Sequence, residues 1–257
     1  MLKNYHSHTE RCGHAWGTDD EFVQAAIEAG FCVLGFSEHS PWPFVDGYQE
    51  IDSRQRITME QLDHYIQDMQ ALKEKYKDRI EIRIGLECEY FPQYFDWLKT
   101  VKPRLDYLLL GVHCADHDEH LTHYYARSTK PEQVQEYLRC ALAGMESGLF
   151  AYLAHPDLIC YKGDHATYRK HMRRLCQEAK SCGVPLEMNL LGLWSGRHYP
   201  DMRFWALAAE EGCQAVLGWD AHAPEQLCRM DAEQTMRRAA KNLGIELLDT
   251  VTFRSLG

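Results

Sequence analysis

The sequence contains no long apolar run, since no stretch approaches the roughly 20 apolar residues that a helix needs to cross a bilayer. Its first residues, MLKNYHSHTERCGHA, lack the apolar core of a secretory signal. Basic residues are few: 28 Lys and Arg face 38 Asp and Glu, which gives a formal net charge of -10. A basic stripe of the kind that binds nucleic acid is therefore absent. We expect a cytoplasmic protein with neither a membrane nor a nucleic-acid partner.

The sequence also lacks CxxC pairs and any Gly/Ser-rich or Pro-rich linker. Its ten cysteines are scattered, so we interpret them as reduced thiols and not as a disulfide framework. The 257 residues are enough for one substantial core, and they predict a single domain over 1–257. Histidine is abundant, with 14 residues, and imidazole is the commonest metal ligand in proteins.

Short apolar runs alternate with longer amphipathic segments along the whole chain, a pattern typical of β/α units and a parallel sheet. The predicted strands are Leu2–His6, Phe31–Ser37, Ile80–Glu87, Tyr107–His113, Phe150–His155, Pro185–Leu190 and Ala215–Asp220. The predicted helices are 19–29, 58–77, 93–100, 131–147, 165–182, 201–211 and 225–242. A closing run, Ile245–Phe253, is a candidate for one more strand, and the long loop from Pro41 to Arg56 is a candidate lid.

Ligand-type residues stand where most of these strands end. They are His6, His8, His39, Glu87, His113, His155, Asp220 and His222. In a β/α barrel the carboxyl ends of the strands meet on one face, so these side chains should be neighbours in space. Each has an ordinary interpretation as well, because HxH and DxH pairs arise by chance and a lone histidine is usually a core or surface residue. Their coincidence favours a metal site, since buried charges would otherwise be costly.

Six ordered motifs carry a resemblance to a known family. They are HSHTERCGHA from His6, SEH at 37–39, GLE at 85–87, GVH at 111–113, AHPD at 154–157 and WDAH at 219–222. Together they resemble the PHP (polymerase and histidinol phosphatase) superfamily over essentially the whole chain. Four segments, HSHT with CGHA, FSEHSPWP, YIQDMQALKEKY and YLAHPDL, are most similar to the histidinol-phosphate phosphatases.

The resemblance implies a distorted seven-stranded (β/α) barrel that holds two to three divalent metals. By motif position, the first ion would be held by His6, His8, Glu87 and Asp220. The second would be held by His14, His39 and His222, and the third by Glu87, His113 and His155, with Glu87 bridging. Independently, imidazole and carboxylate ligands without thiolate suit zinc, manganese or iron.

The resemblance further implies hydrolysis of L-histidinol phosphate to L-histidinol and phosphate, a step of histidine biosynthesis. Glu87, Asp220 and His222 would serve catalysis, in which a hydroxide bridging two metals attacks phosphorus. Arg197, on the loop after the sixth strand, is the candidate clamp for the phosphate, and Lys162 is a weaker one. Three divalent ions against the charges of Glu87 and Asp220 predict a strongly electropositive cleft that favours an anionic substrate.

Other functions stay open. A PHP hydrolase of another small phosphoester is the nearest alternative. A metal-dependent amidohydrolase is less favoured because no lysine ends a strand, and a non-catalytic polymerase module is weakened because no ligand is missing. Oligomeric state cannot be derived from the sequence.

Several residues beside the candidate ligands have two possible roles. Cys12, Cys88 and Cys114 are expected to pack. Glu38 and Asp157 would either orient ligands or lie exposed. Glu89 would face the same side of its strand as Glu87 or hydrogen-bond a loop, and Asn189 would contact substrate or close the barrel. The polar run of His117, His120 and His123 is expected to be a solvated loop.

Overall fold

Strands and helices alternate along the chain, as the sequence pattern predicts. The computed structural model describes residues 2–44, 55–118, 123–127, 130 and 132–254. The strands are β1 (Leu2–Asn4), β2 (Phe31–His39), β3 (Glu81–Cys88), β4 (Tyr107–Leu110), β5 (Leu186–Asn189), β6 (Gln214–Gly218) and β7 (Glu246–Leu247). The α-helices are α1 (Asp19–Glu28), α2 (Met59–Tyr76), α3 (Phe95–Val101), α4 (Gln133–Glu146), α5 (His165–Ser181), α6 (Leu190–Trp194), α7 (Met202–Glu211) and α8 (Met230–Leu243).

Helix boundaries agree with the predicted ranges to within a few residues, apart from the last. There a short 3₁₀ helix, Pro224–Cys228, precedes α8. Helices α1 and α2 begin at capping boxes, in which Thr18 and Thr58 accept from the backbone of the third helical residue. The short helix α6 was not expected, because the apolar residues after Asn189 resemble the end of a strand.

Two predicted strands differ in the structure. Residues 150–155 form no regular strand; only Leu153 makes isolated parallel bridges, to Leu110 on one side and Leu186 on the other. The segment still takes a strand's position, with hydrogen bonds such as Leu110 N–H to Tyr152 O on one side and Leu153 N–H to Pro185 O on the other. The candidate strand 245–253 is reduced to β7, which pairs with β6.

All strand pairs are parallel and curl around one axis. One sheet has the order β1-β2-β3-β4 and the other β5-β6-β7. The segment 150–155 joins β4 to β5, and a parallel bridge between Ser7 and Ala221 joins the continuation of β6 to that of β1. The ring is closed there by His8 N–H donating to Ala221 O at 2.8 Å. This pairing confirms the distorted (β/α)7 barrel.

The barrel interior is divided into an apolar half and a polar half. Side chains alternate along a strand, so every second residue of β3 points inward and the others face the helices. Near the amino ends of the strands the interior is filled by one apolar cluster, which includes Tyr5, Tyr107, Leu109, Tyr152 and Val251. Only the carboxyl ends of the strands are therefore available for polar side chains.

Tyr107 shows how tightly the apolar half is packed. Its hydroxyl donates to Tyr5 O at 2.6 Å, and its ring stacks on Phe253 with centroids 5.1 Å apart. Gly85 lies against the same ring, where a Cβ atom would come within 2.5 Å of Cζ. Gly85 is thus required by close approach, and its position fixes Glu87 two residues later on the same inward face.

Candidate metal centre

The carboxyl ends of the strands bring the predicted ligands together. His39 ends β2 and is paired in register with Glu87 of β3. His113 follows β4, and His155 follows the irregular segment 150–155. His6 and His8 extend β1, while Asp220 and His222 extend β6 beside them through the Ser7–Ala221 bridge. Convergence on one face was expected from the strand pattern, and the structure confirms it.

Glu87 lies at the centre of the cluster and is 1% exposed. Its Oε1 is 2.8 Å from His155 Nε2 and 3.2 Å from His113 Nε2. Its Oε2 is 3.0 Å from His39 Nδ1, 3.4 Å from His6 Nε2 and 3.6 Å from His8 Nε2. One carboxylate with both oxygens facing separate histidines has the geometry of a bridging ligand.

Asp220 is a second carboxylate centre in the same cluster. Its Oδ1 lies 3.1 Å from His8 Nε2 and 3.4 Å from His6 Nε2, and Asn189 Nδ2 donates to Oδ2 at 3.0 Å. Asp220 and His155 both have positive φ angles, of 50° and 29°. Residues other than glycine rarely adopt this region, and such backbone strain concentrates at functional sites.

Four sets of three side chains have ligand atoms within 4.8 Å of one another. They are His8 with His39 and His222, His6 with His8 and Glu87, His6 with His155 and Asp220, and His39 with Glu87 and His113. Several atoms in these sets are buried and make no hydrogen bond to any described residue, notably His6 Nε2, His8 Nε2 and Glu87 Oε2. Buried polar atoms normally have a hydrogen-bond partner, so these unpartnered nitrogen and oxygen atoms fit metal ions as their partners.

His14 is the predicted ligand that belongs to none of these sets. Its ring centroid lies 4.9 Å from that of His222 and 5.2 Å from that of His39, and its Nδ1 is 3.1 Å from Cys12 O. His14 is therefore at the edge of the cluster, where His8 and not His14 completes the set with His39 and His222. Its assignment to the second ion stays a prediction.

Carboxylates reverse the effect of burial on three histidines. Desolvation lowers the pKa of His8 and His113, but Asp220 with Glu38 and Glu87 with Glu89, respectively, raise these values to about 9 and about 10. The pKa of His6 is likewise raised well above its usual value, mainly by Glu187 against desolvation. Protons on these rings occupy places that a metal cation would take.

The other titratable members of the cluster carry no such protons. Burial and the neighbouring His8 lower the pKa of His39 well below its usual value and that of His222 to about 3. Burial alone would raise the pKa of Glu87 and Asp220, but the surrounding histidines lower both well below the usual range. Neutral imidazoles beside ionised carboxylates are the forms in which these groups bind metals.

A second layer of buried carboxylates orients the histidines. Glu187 on β5 accepts from His6 Nδ1 at 2.7 Å and from the backbone N–H of His155 at 3.0 Å. Glu38 Oε2 accepts from the backbone N–H of Thr9 and Oε1 from that of His39, both at 2.8 Å, and Oε1 also lies 3.5 Å from His8 Nδ1. Metal-binding histidines commonly donate their second ring N–H in this way.

Glu89 occupies the same layer beside His113. Its Oε1 lies 3.0 Å from His113 Nδ1, its Oε2 accepts from Trp42 Nε1 at 3.0 Å, and Arg56 pairs with it at 3.5 Å. Burial raises the pKa of Glu89, but Arg56 and His113 lower it to a net value of about 2. Glu89 therefore has both roles considered from the sequence: it faces the cluster on the same side as Glu87, and it hydrogen-bonds a loop.

Sequence reasoning did not identify Glu187 or Arg56. A charged residue inside the apolar run PLEMN was an available signal for Glu187, because a parallel strand buried on both faces is normally apolar. Arg56 lies in a loop with no periodicity, so nothing in the sequence marks it as buried. Asn189 closes the barrel: its Nδ2 joins Glu187 to Asp220, both at 3.0 Å.

Asp157 and the neighbouring cysteines have packing roles. Asp157 is 1% exposed but does not orient His155; its Oδ2 accepts from Asp201 N–H at 2.5 Å and Trp205 Nε1 at 3.1 Å. Cys12, Cys88 and Cys114 are buried, as expected, and all ten cysteines are free thiols. Desolvation raises the pKa of these three thiols, which leaves them protonated and poorly suited to metals.

The two candidate phosphate ligands differ in position. Arg197 is exposed, donates to the hydroxyl of Tyr199, and is subject to the charge of Asp220 in the cluster. Lys162 is also exposed and makes no hydrogen bond or ion pair with a described residue. Burial lowers the pKa of His198 on the loop after α6, and the charge of Lys162 adds a small contribution in the same direction.

Other predicted features lie away from the centre or outside the described residues. His117 and His123 are 73% and 63% exposed, as expected for a solvated loop, and His120 lies outside the described residues. Most of the candidate lid, 45–54, also lies outside them. Among the described helices, none has the length and apolarity needed to cross a membrane.

Comparison with known proteins places this centre in a family. Residues 4–190 match the PHP domain. The chain is 31% identical over 236 residues to a probable histidinol-phosphatase from Deinococcus radiodurans, with 88% of each chain covered. It is 30% identical over 252 residues to the histidinol-phosphatase of Bacillus subtilis, with 84% of this chain and 92% of the relative covered.

A solved structure has the same fold. The histidinol phosphate phosphatase of Lactococcus lactis, in complex with zinc, L-histidinol and phosphate, has a TM-score of 0.72 and 21% identity, with 98% of each chain covered. The family model and the two relatives of at least 30% identity account for most of the chain. This protein belongs to the PHP domain family, within its histidinol-phosphatase branch.

Proposed function

We propose that residues 1–257 form one PHP domain that hydrolyses L-histidinol phosphate to L-histidinol and inorganic phosphate with the help of divalent metal ions. The observation that carries this proposal is the buried cluster around Glu87 and Asp220, whose unsatisfied ligand atoms fit metals. The names of the Deinococcus radiodurans and Bacillus subtilis relatives support the substrate. Zinc in the Lactococcus lactis protein supports a transition metal.

Each candidate ligand has a place in this proposal. The first ion would contact His6, His8, Glu87 and Asp220, the second His39 and His222 with His14 at its edge, and the third Glu87, His113 and His155. Bound divalent ions supply Lewis-acid polarisation of the phosphoryl group and activation of the attacking water. Glu87, Asp220 and His222 would hold the ions, while Glu187, Glu38 and Glu89 would keep the histidine rings in the productive orientation.

The buried charge limits what substrate fits. Among the described residues in and around the cluster, five carboxylates and one guanidinium, that of Arg56, are buried. The carboxylates are Glu38, Glu87, Glu89, Glu187 and Asp220. With neutral histidines this leaves four negative charges, which two divalent ions would balance. A third ion would leave two positive charges, which a phosphomonoester dianion neutralises. The cleft is thus less electropositive than the sequence predicts, because three of these carboxylates were not counted.

Arg197 is the proposed clamp for the phosphate. It lies on the rim, within electrostatic reach of Asp220, and a guanidinium can donate two parallel hydrogen bonds to phosphate oxygens. Lys162 remains the second candidate on the loop after residues 150–155. If Lys162→Ala loses phosphate affinity while Arg197→Ala behaves like the parent, the phosphate pocket belongs to that loop and Arg197 is not the clamp.

Metal analysis of the purified protein, combined with phosphate release from histidinol phosphate and a panel of sugar and nucleotide phosphates, tests the proposal. We expect two to three equivalents of transition metal, loss of activity to chelators and preference for histidinol phosphate. Glu87→Gln should lose more than one ion, His113→Asn mainly one, and the exposed control His64→Asn none. Active protein with less than one equivalent of metal would contradict the metal role, and a different preferred phosphoester would contradict the substrate.

A further inference from the structure

Glu89 belongs to none of the four ligand sets, yet its carboxylate contacts three other buried side chains. One oxygen contacts His113 Nδ1 at 3.0 Å, and the other accepts from Trp42 Nε1 at 3.0 Å. Arg56 pairs with the first oxygen at 3.5 Å. Glu89 is 5% exposed, Arg56 3% and Trp42 0%, so these contacts are shielded from solvent.

The ring of His113 is held between two carboxylates. Glu87 and Glu89 are two residues apart in extended chain and therefore point to the same side. Glu87 Oε1 lies 3.2 Å from Nε2 and Glu89 Oε1 3.0 Å from Nδ1 of His113. A neutral imidazole has one ring proton. If that proton is on Nδ1 and is donated to Glu89, Nε2 carries no proton. The lone pair of Nε2 then faces Glu87 and is free to bind a cation.

Trp42 and Arg56 hold Glu89 from the connection between β2 and α2. The Arg56 guanidinium also lies over the ring of Phe44, 5.3 Å from its centroid. Trp42 packs edge-on against Phe91, with centroids 5.1 Å apart. A buried carboxylate without a compensating charge is costly, and Arg56 supplies that charge while Trp42 fixes the direction of the second oxygen.

We propose that Glu89 is a positioning residue that fixes the orientation of His113, and that Trp42 and Arg56, two buried residues between β2 and α2, hold Glu89 in place for this role. Glu89, Trp42 and Arg56 thereby set how tightly one particular divalent cation is held. This inference rests on the proposed metal role of His113. It assigns to Trp42, Arg56 and Glu89 a function in metal affinity, whereas a purely structural ion pair would contribute to fold stability alone.

A double-mutant cycle on zinc release separates these two roles. The proteins are the parent, Glu89→Gln, His113→Asn and the double variant, each loaded with zinc and challenged with a chromogenic chelator. Replacing an outer carboxylate that holds a metal-binding histidine typically lowers the metal affinity by 10- to 100-fold. We expect Glu89→Gln to release one zinc at least about tenfold more readily, and the double variant to match His113→Asn.

Milder variants keep the test decisive if Glu89→Gln folds poorly. Trp42→Phe removes one donor and should give a smaller increase in zinc release. Arg56→Gln should resemble Glu89→Gln, while Arg56→Lys retains the charge and should recover part of the affinity. A partly exposed Glu–Arg pair on β3, Glu81 with Arg83, provides matched controls: Glu81→Gln and Arg83→Gln should release zinc like the parent.

The outcomes distinguish this inference from the proposed function. Glu89 and His113 effects that simply add, or a lower Tm with unchanged zinc release in Glu89→Gln and Arg56→Gln, would overturn the positioning role and leave the proposed function intact. A parent protein that binds no zinc and releases no phosphate would overturn both. The inference is supported if Glu89→Gln speeds the release of one zinc in the parent protein but has no such effect when His113 is already replaced by asparagine.

Discussion

Replacement of Glu187 by glutamine should weaken both the fold and the metal centre. Glu187 is fully buried and accepts four hydrogen bonds. Its Oε1 faces His6 Nδ1 at 2.7 Å and the hydroxyl of Tyr152 at 3.3 Å. Its Oε2 faces the backbone N–H of His155 and the side-chain amide of Asn189, both at 3.0 Å. The residue thus ties the continuation of β1 to residues 150–155 and to the end of β5.

The magnitude follows from the donors that lose their acceptor. A glutamine amide can accept on one side but presents an NH₂ group on the other, so two donors meet a donor. Hydrogen bonds to charged groups contribute about 1.5–3 kcal/mol each, which makes a loss of about 3 kcal/mol the lower bound for two. At about 2–4 °C per kcal/mol for a chain of this size, the Tm should fall by roughly 6–12 °C.

Thermal unfolding of metal-stripped protein measures the effect on the fold, and zinc titration measures the effect on the site. Because a neutral glutamine fixes the His6 ring less firmly than the carboxylate does, zinc affinity should fall about 10- to 100-fold. Glu246→Gln, which alters an exposed carboxylate on β7, is the matched control and should change stability by at most about 0.5 kcal/mol. A Tm for Glu187→Gln equal to that of the control would refute the reasoning.

Three further predictions concern protons, packing and substrate. In the metal-free cluster His8 and His113 hold protons, because their pKa values are about 9 and about 10. Zinc binding at pH 7 should therefore release at least one proton, and the zinc affinity should weaken as the pH falls. A calorimetric binding enthalpy that does not depend on the ionisation enthalpy of the buffer would contradict this. Gly85→Ala would place a Cβ atom 2.5–2.8 Å from three ring atoms of Tyr107. The free energy of unfolding should therefore fall by about 2 kcal/mol and the Tm by roughly 4–8 °C. An unchanged melting curve would show that the Tyr107 ring moves aside without cost. Arg197→Ala should raise the KM for histidinol phosphate by roughly tenfold with unchanged metal content, and Arg197→Lys should recover only part of it; parent-like kinetics would assign the phosphate to other residues.

Much of the fold was predictable because local rules and the global architecture agree. Amphipathic helices such as α5 and apolar strands such as β4 have distinct periods, and helix starts such as Thr58 carry recognisable caps. The segment 150–155 has the composition of a strand, but its bonds to β4 and β5 form only isolated bridges. Composition does not determine whether a hydrogen-bond ladder is regular, so this difference was not predictable.

The candidate ligands were predictable for a related reason. A residue at the carboxyl end of a strand needs only the order of strands to be placed on the common face, and His39, Glu87 and Asp220 are all recognisable in that way. The orienting residues required more. Glu187 is separated from His6 by 181 positions in the chain, and Arg56 comes from an aperiodic loop, so their contacts depend on how distant segments fold together.

The sequence by itself therefore determined the alternation of strands and helices, the face on which polar chemistry would occur, and the residue types that could bind a cation there. Only the tertiary structure decided how those residues are grouped. It made His8 and not His14 the third member of the set with His39 and His222, and it surrounded the cluster with buried carboxylates. The physical reason is that a ligand's direction and a carboxylate's ionisation depend on distances of a few ångströms between segments remote in sequence, which strand patterns do not contain.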